Sequence, residues 1–194
     1  MINRFPAGSR FHIPLMIGFY TGLRISEAFA LTWNDIDLEK CIITVSKQVV
    51  KRNFGSDMSK AMETHGKKEL KFFWYFTSTK TPSSERTIPF GETLYKALKA
   101  AHIAQKKNEL KYSEFYTIHV LKKELDEKGS EIFRIIPVQK CVCSDLPRVH
   151  MVCITENGEY TSTDSFKYCS RVIHKELMLA FDYHSSRHPR NDSD

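Results

Sequence analysis

Helical and strand-like spacings of apolar residues follow one another along the chain. Near the start, Phe11, Leu15 and Ile17 recur at helical spacing after Ser9, a residue type that often caps helices. Four further segments have the spacing or the composition of helices. The predicted helices cover residues 10–20, 23–32, 93–110, 112–128 and 164–181.

Three other segments, residues 41–50, 72–77 and 86–90, are rich in β-branched and aromatic residues and predict strands. A polar, lysine-rich segment, residues 52–71, lies between the first two. No regular element is predicted for residues 130–150, which contain two prolines. Residues 149–154 predict a further strand that runs into a tight turn at Asn157-Gly158. The pattern therefore predicts an α+β fold, mainly α, with a small three-stranded antiparallel sheet.

Composition limits the protein class. The chain has 194 residues, 41% hydrophobic and 27% charged, which suits one globular domain covering residues 1–194. The longest uncharged stretch, between Arg10 and Arg24, has 13 residues and is too short to span a membrane. Arg24 and Glu27 also interrupt what would otherwise resemble an export signal. Five cysteines without such a signal indicate reduced thiols in a cytoplasm.

Positive charge is concentrated in one part of the chain. The net charge is +6, and residues 40–80 contain nine Lys or Arg and three acids, so this segment accounts for the whole excess. A solvated basic loop would explain the run, and so would a surface for a polyanion such as DNA. Charge by itself does not decide between these two interpretations.

Several common catalytic motifs are absent from the sequence. It has no Gly-rich phosphate loop, no dinucleotide-binding glycine motif and no H-E-x-x-H zinc motif. Cys141-x-Cys143 fits no common structural zinc spacing, so no metal site is predicted.

Three short motifs, taken in order, carry the strongest functional indication. They are Thr21-Gly22-Leu23-Arg24-Ile25-Ser26-Glu27, then Lys80-Thr81-Pro82-Ser83-Ser84-Glu85-Arg86-Thr87-Ile88-Pro89, then His184-Ser185-Ser186-Arg187-His188. Together they resemble the catalytic domain of the tyrosine recombinases, the phage integrase family, and in particular the integrases of conjugative transposons from Gram-positive bacteria. The resemblance covers almost the whole chain and implies double-stranded DNA as the partner and a bacterial cytoplasmic location.

The resemblance also implies roles for individual residues. In the family a tyrosine attacks a DNA phosphate, forms a 3′-phosphotyrosyl link and releases a 5′-hydroxyl. By resemblance, Arg24 and Arg187 hold the charged phosphate oxygens, a task that suits a planar guanidinium. Lys80 matches the lysine that protonates the leaving oxygen, and His184 matches a proton-transfer histidine. No metal and no cofactor are implied, because two arginines supply the positive charge.

Further residues are expected to support this site. Glu27 and His188 are expected to hold the catalytic groups in place. The expected DNA-binding residues are all basic and lie around the predicted strands: Lys47, Lys51, Arg52, Lys67, Lys68, Lys71 and Arg86.

The sequence departs from the family pattern after His188. Pro189 disfavours the helix that the family continues with, and all eight tyrosines precede Arg187, so none matches the nucleophile. The domain is therefore expected to be incomplete at its C-terminus, and the arm-binding and core-binding domains of the family are absent from the sequence. A frameshift or a deliberately shortened chain would each explain this ending.

Three functional hypotheses follow. The first is a recombinase catalytic domain that breaks and rejoins DNA when intact but is inactive alone, and a monomer or weak dimer because the assembly segment between protomers is missing. The second is a non-enzymatic DNA-binding remnant that regulates or competes with an intact recombinase. The third is a basic domain that binds RNA or an acidic protein, for which Arg24 and Arg187 would be dispensable.

Overall fold

The computed structural model describes residues 4–53, 72–79, 85–178 and Tyr183. Within them are four α-helices: α1 (His12–Thr21), α2 (Ile25–Ala28), α3 (Glu92–Tyr112) and α4 (Thr163–Leu177). The strands are β1 (Ile36–Asp37), β2 (Ile42–Val45), β3 (Lys47–Asn53), β4 (Phe72–Ser78), β5 (Arg86–Pro89), β6 (Thr117–Leu125), β7 (Glu131–Gln139) and β8 (Arg148–Val149).

The expectation of a mainly α fold is wrong, although the α+β class holds. Helices and strands share the described residues almost equally, and the strands form two antiparallel sheets. One sheet has the order β1-β2-β5 and the other the order β3-β4-β7-β6-β8. The difference comes from the second half of the chain, where β6 and β7 form a long hairpin that the sequence pattern did not predict.

The small three-stranded sheet exists, but its strands are not the predicted ones. The β-rich segment 41–50 divides into β2 and β3 around Ser46, and these two strands have different partners. β2 pairs with β5, from Ile42 opposite Pro89 to Val45 opposite Arg86. β3 pairs instead with β4, which thereby belongs to the five-stranded sheet.

The helix predicted over residues 112–128 is wrong for most of its length, because β6 begins at Thr117. Its Leu, Lys and Glu residues favour a helix locally, but pairing with β7 along the whole strand overrides that preference. The predicted irregular segment 130–150 likewise contains β7. Pro137 is tolerated there because β4 pairs with β7 only as far as Ile135, so no β4 partner needs the missing N–H.

Other predictions need smaller changes. The second predicted helix shortens to the single turn of α2, and α4 ends at Leu177. Ser162 rather than Thr163 caps α4, since its Oγ accepts a hydrogen bond from the Ser165 amide at 3.3 Å. The predicted turn at Asn157-Gly158 is present, and Gly158 has φ = 88°.

One core joins the helices to the small sheet and to one face of the large sheet. Its fully buried side chains come from different elements and include Ile17, Leu23, Ile43, Leu94, Leu98 and Ile173. Phe166 of α4 lies edge-on to Phe29 and to Phe11, with ring centroids 5.8 and 5.9 Å apart. This packing fixes the short α2 segment between α1, α4 and β3, which is where the first motif lies.

Among the residues that the structure describes, no helix is long and apolar enough to cross a membrane.

Candidate functional site: a buried carboxylate between two arginines

A glycine turn delivers the first motif to the surface. α1 ends at Gly22, whose φ of 61° lies in the left-handed region and whose amide donates to the Gly18 carbonyl oxygen at 3.0 Å. Leu23 is fully buried directly after it. Arg24 then adopts an extended backbone and precedes α2, with its side chain 53% exposed. The turn thus holds the backbone of Arg24 firmly while its guanidinium reaches solvent.

Glu27 lies beneath Arg24 and is only 2% exposed. Its Oε2 accepts a hydrogen bond from the Arg24 backbone amide at 3.0 Å, and its Oε1 accepts one from Arg24 Nη1 at 2.8 Å. The first contact satisfies an amide at the beginning of α2, and the second fixes the direction of the guanidinium.

Arg86 binds the same carboxylate from β5. Its Nη2 donates to Glu27 Oε2 at 2.8 Å, and its Nη1 lies 3.3 Å from Oε1. Glu27 therefore accepts four hydrogen bonds from two arginines, in a fork-to-fork arrangement on the Arg86 side. Because Arg86 belongs to the second motif and begins β5, this contact connects the first motif to the second.

The charge of Glu27 is maintained by these contacts. Burial by itself would raise the pKa of Glu27, but the hydrogen bonds from Arg86 and Arg24 outweigh burial and lower the pKa. The carboxylate is thus ionised at neutral pH, and the group of three side chains carries a net charge of about +1.

The residues predicted for the second and third motifs fall largely outside the described part of the chain. Lys80, His184, Arg187 and His188 lie outside it, as do Lys67, Lys68 and Lys71 of the expected DNA surface.

Of the four other basic residues expected to bind DNA, three lie on β3, and each of these three has an acidic partner. Lys47 contacts both carboxylate oxygens of Asp35, Lys51 Nζ lies 2.5 Å from Asp164, and Arg52 lies 3.6 Å from Asp126. Lys51 and Arg52 are 36% and 38% exposed, against 24% for Lys47. Lys51 and Arg52 can exchange their acidic partners for a phosphate more readily than Lys47 can.

Arg86 has a partner that the sequence does not predict. Its guanidinium binds Glu27, while 31% of its side chain stays exposed, so the predicted contact with DNA stays a prediction. The spacing of Arg24 and Glu27 is visible in the sequence, since residues three apart on a helix are neighbours. The contact between Glu27 and Arg86 spans 59 residues and has no local signal.

Cysteines and other residue types that bind metals form no cluster among the described residues. Among the described residues, no group of three or more His, Cys, Asp or Glu could hold a metal ion. Cys153 and Cys169 are buried, and burial raises the pKa of each thiol to about 12.

The sequence matches a family model described as the phage integrase family over residues 2–188. Among curated proteins, the transposase from transposon Tn916 of Enterococcus faecalis is 29% identical over 106 residues. The transposase from transposon Tn1545 of Streptococcus pneumoniae gives the same identity over the same length. Each match covers 52% of this chain and 22% of the relative, so the matched part spans about a fifth of the length of these curated relatives.

Solved structures show the same fold. An integrase of transposon Tn1549 in complex with transposon right end DNA matches with a TM-score of 0.56 and 18% identity, covering 96% of this chain and 47% of that one. The same integrase with a circular intermediate DNA matches with a TM-score of 0.50 and 20% identity, covering 92% and 44%.

Proposed function

The chain belongs to the phage integrase family, and from that premise we propose that it forms the catalytic domain of a tyrosine recombinase acting on double-stranded DNA. Within the whole protein, the domain would break and rejoin DNA strands through a 3′-phosphotyrosyl intermediate. The observation that supports this most is Arg24, which stands at the arginine position of the first motif. It is exposed to solvent and held from below by a buried, ionised carboxylate.

Arg24 is the proposed phosphate ligand of the described site. In the proposed reaction, negative charge builds on the non-bridging oxygens of the attacked phosphate, and a fixed guanidinium stabilises it without reorganising. Glu27 keeps the side chain of Arg24 in one orientation, so less conformational entropy is lost when a phosphate binds. Arg187 is proposed as the second such ligand.

Lys80 and His184 are proposed as the groups that handle protons. Lys80 would protonate the departing 5′-oxygen, and His184 would assist proton transfer at the same phosphate. β5 supports the placement of the first of these, because Arg86 fixes the beginning of that strand on Glu27 six residues after Lys80. Arg86 of the second motif therefore lies close to Arg24, and we propose that Lys80 acts at the same phosphate.

These 194 residues by themselves are proposed to bind DNA without cleaving it. No tyrosine follows Arg187 in the sequence, and a covalent mechanism needs its nucleophile. The nucleophile would come from outside these residues. We place the proposed reaction in the bacterial cytoplasm, where the DNA lies, and we expect the isolated chain to be a monomer or a weak dimer.

DNA binding across a range of salt concentrations tests the proposed phosphate contact. Each phosphate contact contributes about 0.9 to the slope of log affinity against log salt. We therefore expect Arg24→Ala to reduce the magnitude of the slope by about 1. Lys96→Ala is the matched control, since Lys96 is an exposed lysine that pairs with Glu92 on its own helix. Equal slopes for wild type and Arg24→Ala would contradict the assignment.

A nicked suicide DNA substrate tests the proposed chemistry separately. It traps a covalent protein–DNA adduct whenever a protein nucleophile attacks the phosphate. We expect no adduct with this chain, and an adduct would show that one of its eight tyrosines or another nucleophile serves the reaction.

A further inference from the structure

A cavity of about 430 Å³ opens beside the five-stranded sheet, on the face of the sheet that packs against the core. Its wall is largely aromatic and apolar and includes Trp74, His119, Ile135, Pro137 and Tyr160, with Glu159 among its polar residues. The volume is in the range of sites that hold small organic molecules. None of the residues discussed for the integrase reaction lines it.

The cavity follows from where the strands separate. β4 pairs with β7 only up to Ile135, whereas β7 continues to Gln139 with β6 as its partner. The gap beyond Ile135 is bordered by the segment that leads into α4. Gly158 allows this segment to approach β6 closely, because a Cβ at that position would lie 2.2 Å from the Thr117 carbonyl oxygen.

The aromatic rings of the wall are held in place. The Tyr160 hydroxyl donates to the Phe29 carbonyl oxygen at 3.0 Å. The ring of Tyr160 is inclined by 71° to Trp74 and by 76° to His119, with centroids 6.0 and 6.3 Å apart. Rings fixed in this way present flat apolar surfaces to a ligand without first having to be ordered.

A buried polar group at this wall has unused hydrogen-bonding capacity. His119 is 3% exposed, and its Nε2 has no hydrogen-bond partner within the described part of the chain. Burial, with a smaller contribution from Arg148, lowers the pKa of His119 to about 4. Its ring is therefore neutral at pH 7 and offers one donor and one acceptor.

We propose that this cavity binds a small, flat heteroaromatic molecule without negative charge, packed face-on against Trp74 and edge-on to Tyr160, and hydrogen-bonded at its edge to the imidazole of His119. No lysine or arginine is among the described wall residues, which disfavours a phosphate or another anion. The proposal is independent of the DNA site, because it rests on different residues.

The two tryptophans of the chain provide an internal reference for a test. Trp74 lines the cavity, whereas Trp33 is stacked on His102 and donates to Gln105 at 2.7 Å. A ¹⁵N-labelled chain gives two indole N–H signals in NMR, which Trp33→Phe assigns. On titration with benzimidazole at pH 7.5, we expect the Trp74 signal to shift to saturation and the Trp33 signal to stay. Cyclohexanol, which is not flat, is expected to shift neither.

Two variants distinguish binding at a specific site from non-specific binding. His119→Phe keeps a flat ring but removes both nitrogens, and we expect it to weaken benzimidazole binding about tenfold. Gln139 is exposed at the rim of the cavity, on the same face of β7 as Pro137. Gln139→Phe should therefore narrow the cavity without disturbing the core. We expect this variant to abolish the shift of the Trp74 signal. A Trp74 signal that does not move, signals that move equally, or unchanged affinity in Gln139→Phe would show that the cavity holds only solvent.

Discussion

Glu27 and His119 are both buried ionisable residues, and the molecule treats them in opposite ways. Glu27 accepts four hydrogen bonds from Arg24 and Arg86, which lower its pKa and keep it charged. His119 has no partner for its Nε2 among the described residues, and burial lowers its pKa to about 4, so it is neutral. Burial alone therefore does not determine charge, and the partners of each group decide it.

The two regions are suited to different ligands as a result. The carboxylate of Glu27 holds two guanidiniums near the surface, where an anion such as a DNA phosphate can reach Arg24. The cavity beside His119 has aromatic walls and no lysine or arginine among its described lining residues, and it favours a flat ring without negative charge. Each prediction below changes one side of this comparison.

Removing the carboxylate has the largest expected effect. Glu27→Ala leaves two guanidiniums facing each other without their shared partner, and we expect a loss of about 3 kcal/mol in the free energy of unfolding, since Arg24 and Arg86 are partly exposed and solvent reduces the cost. Urea unfolding at pH 7 measures this loss. Glu92→Ala, which breaks an exposed pair with Lys96, should cost no more than about 0.5 kcal/mol. Similar losses for the two variants would show that the contacts of Glu27 with Arg24 and Arg86 stabilise the fold no more than an exposed ion pair does.

Acidification tests the other side of the comparison. In the unfolded chain His119 takes up a proton near pH 6.5, but in the folded protein it does so only near pH 4, so protons favour unfolding between these values. Between pH 7 and pH 5, wild type should lose about 2 kcal/mol more than His119→Phe.

Urea unfolding at both pH values measures this difference. Glu27 does not contribute in this window, because its lowered pKa moves its own loss of stability below pH 4.5. Equal losses in wild type and in His119→Phe would mean that the folded protein accommodates the imidazolium.

Changing the geometry at constant charge has the smallest expected effect. Arg86→Lys keeps the positive charge but cannot make two parallel hydrogen bonds to Glu27, and we expect it to cost about 1 kcal/mol in thermal unfolding. Arg148 instead donates to Glu109 from Nη2 at 2.9 Å, so Arg148→Lys should cost less. A larger loss of stability in Arg148→Lys than in Arg86→Lys would show that the paired hydrogen bonds of Arg86 contribute nothing beyond its positive charge.

The parts of the site that the sequence could predict are the local ones. The spacing of Arg24 and Glu27 places them on neighbouring turns, and Gly22 marks the end of α1 before them. Contacts across the fold had no such signal. The contact of Arg86 with Glu27 was not predictable, because a strand arginine near a basic segment does not show that a buried carboxylate lies next to it.

The fold was predictable to a similar extent. The helical spacing of α3 and the β-branched residues of β2 and β5 were sufficient to place those elements. The hairpin of β6 and β7 was not predictable, because residues such as Lys122, Lys123 and Glu124 favour a helix until β7 pairs with them. His119 is a single histidine in that hairpin, and nothing in its neighbours along the chain distinguishes it.

The central claim is that Glu27 holds Arg24 in position for a phosphate, and a double-mutant cycle on DNA affinity tests it most directly. Wild type, Arg24→Ala, Glu27→Gln and the double variant, each shown to be folded by circular dichroism, are compared by fluorescence anisotropy with a labelled duplex. Positioning predicts that Glu27→Gln weakens binding when Arg24 is present and has no effect when it is absent. If Glu27→Gln instead tightens binding, or changes it equally in both backgrounds, Glu27 acts only as a negative charge and the claim is contradicted.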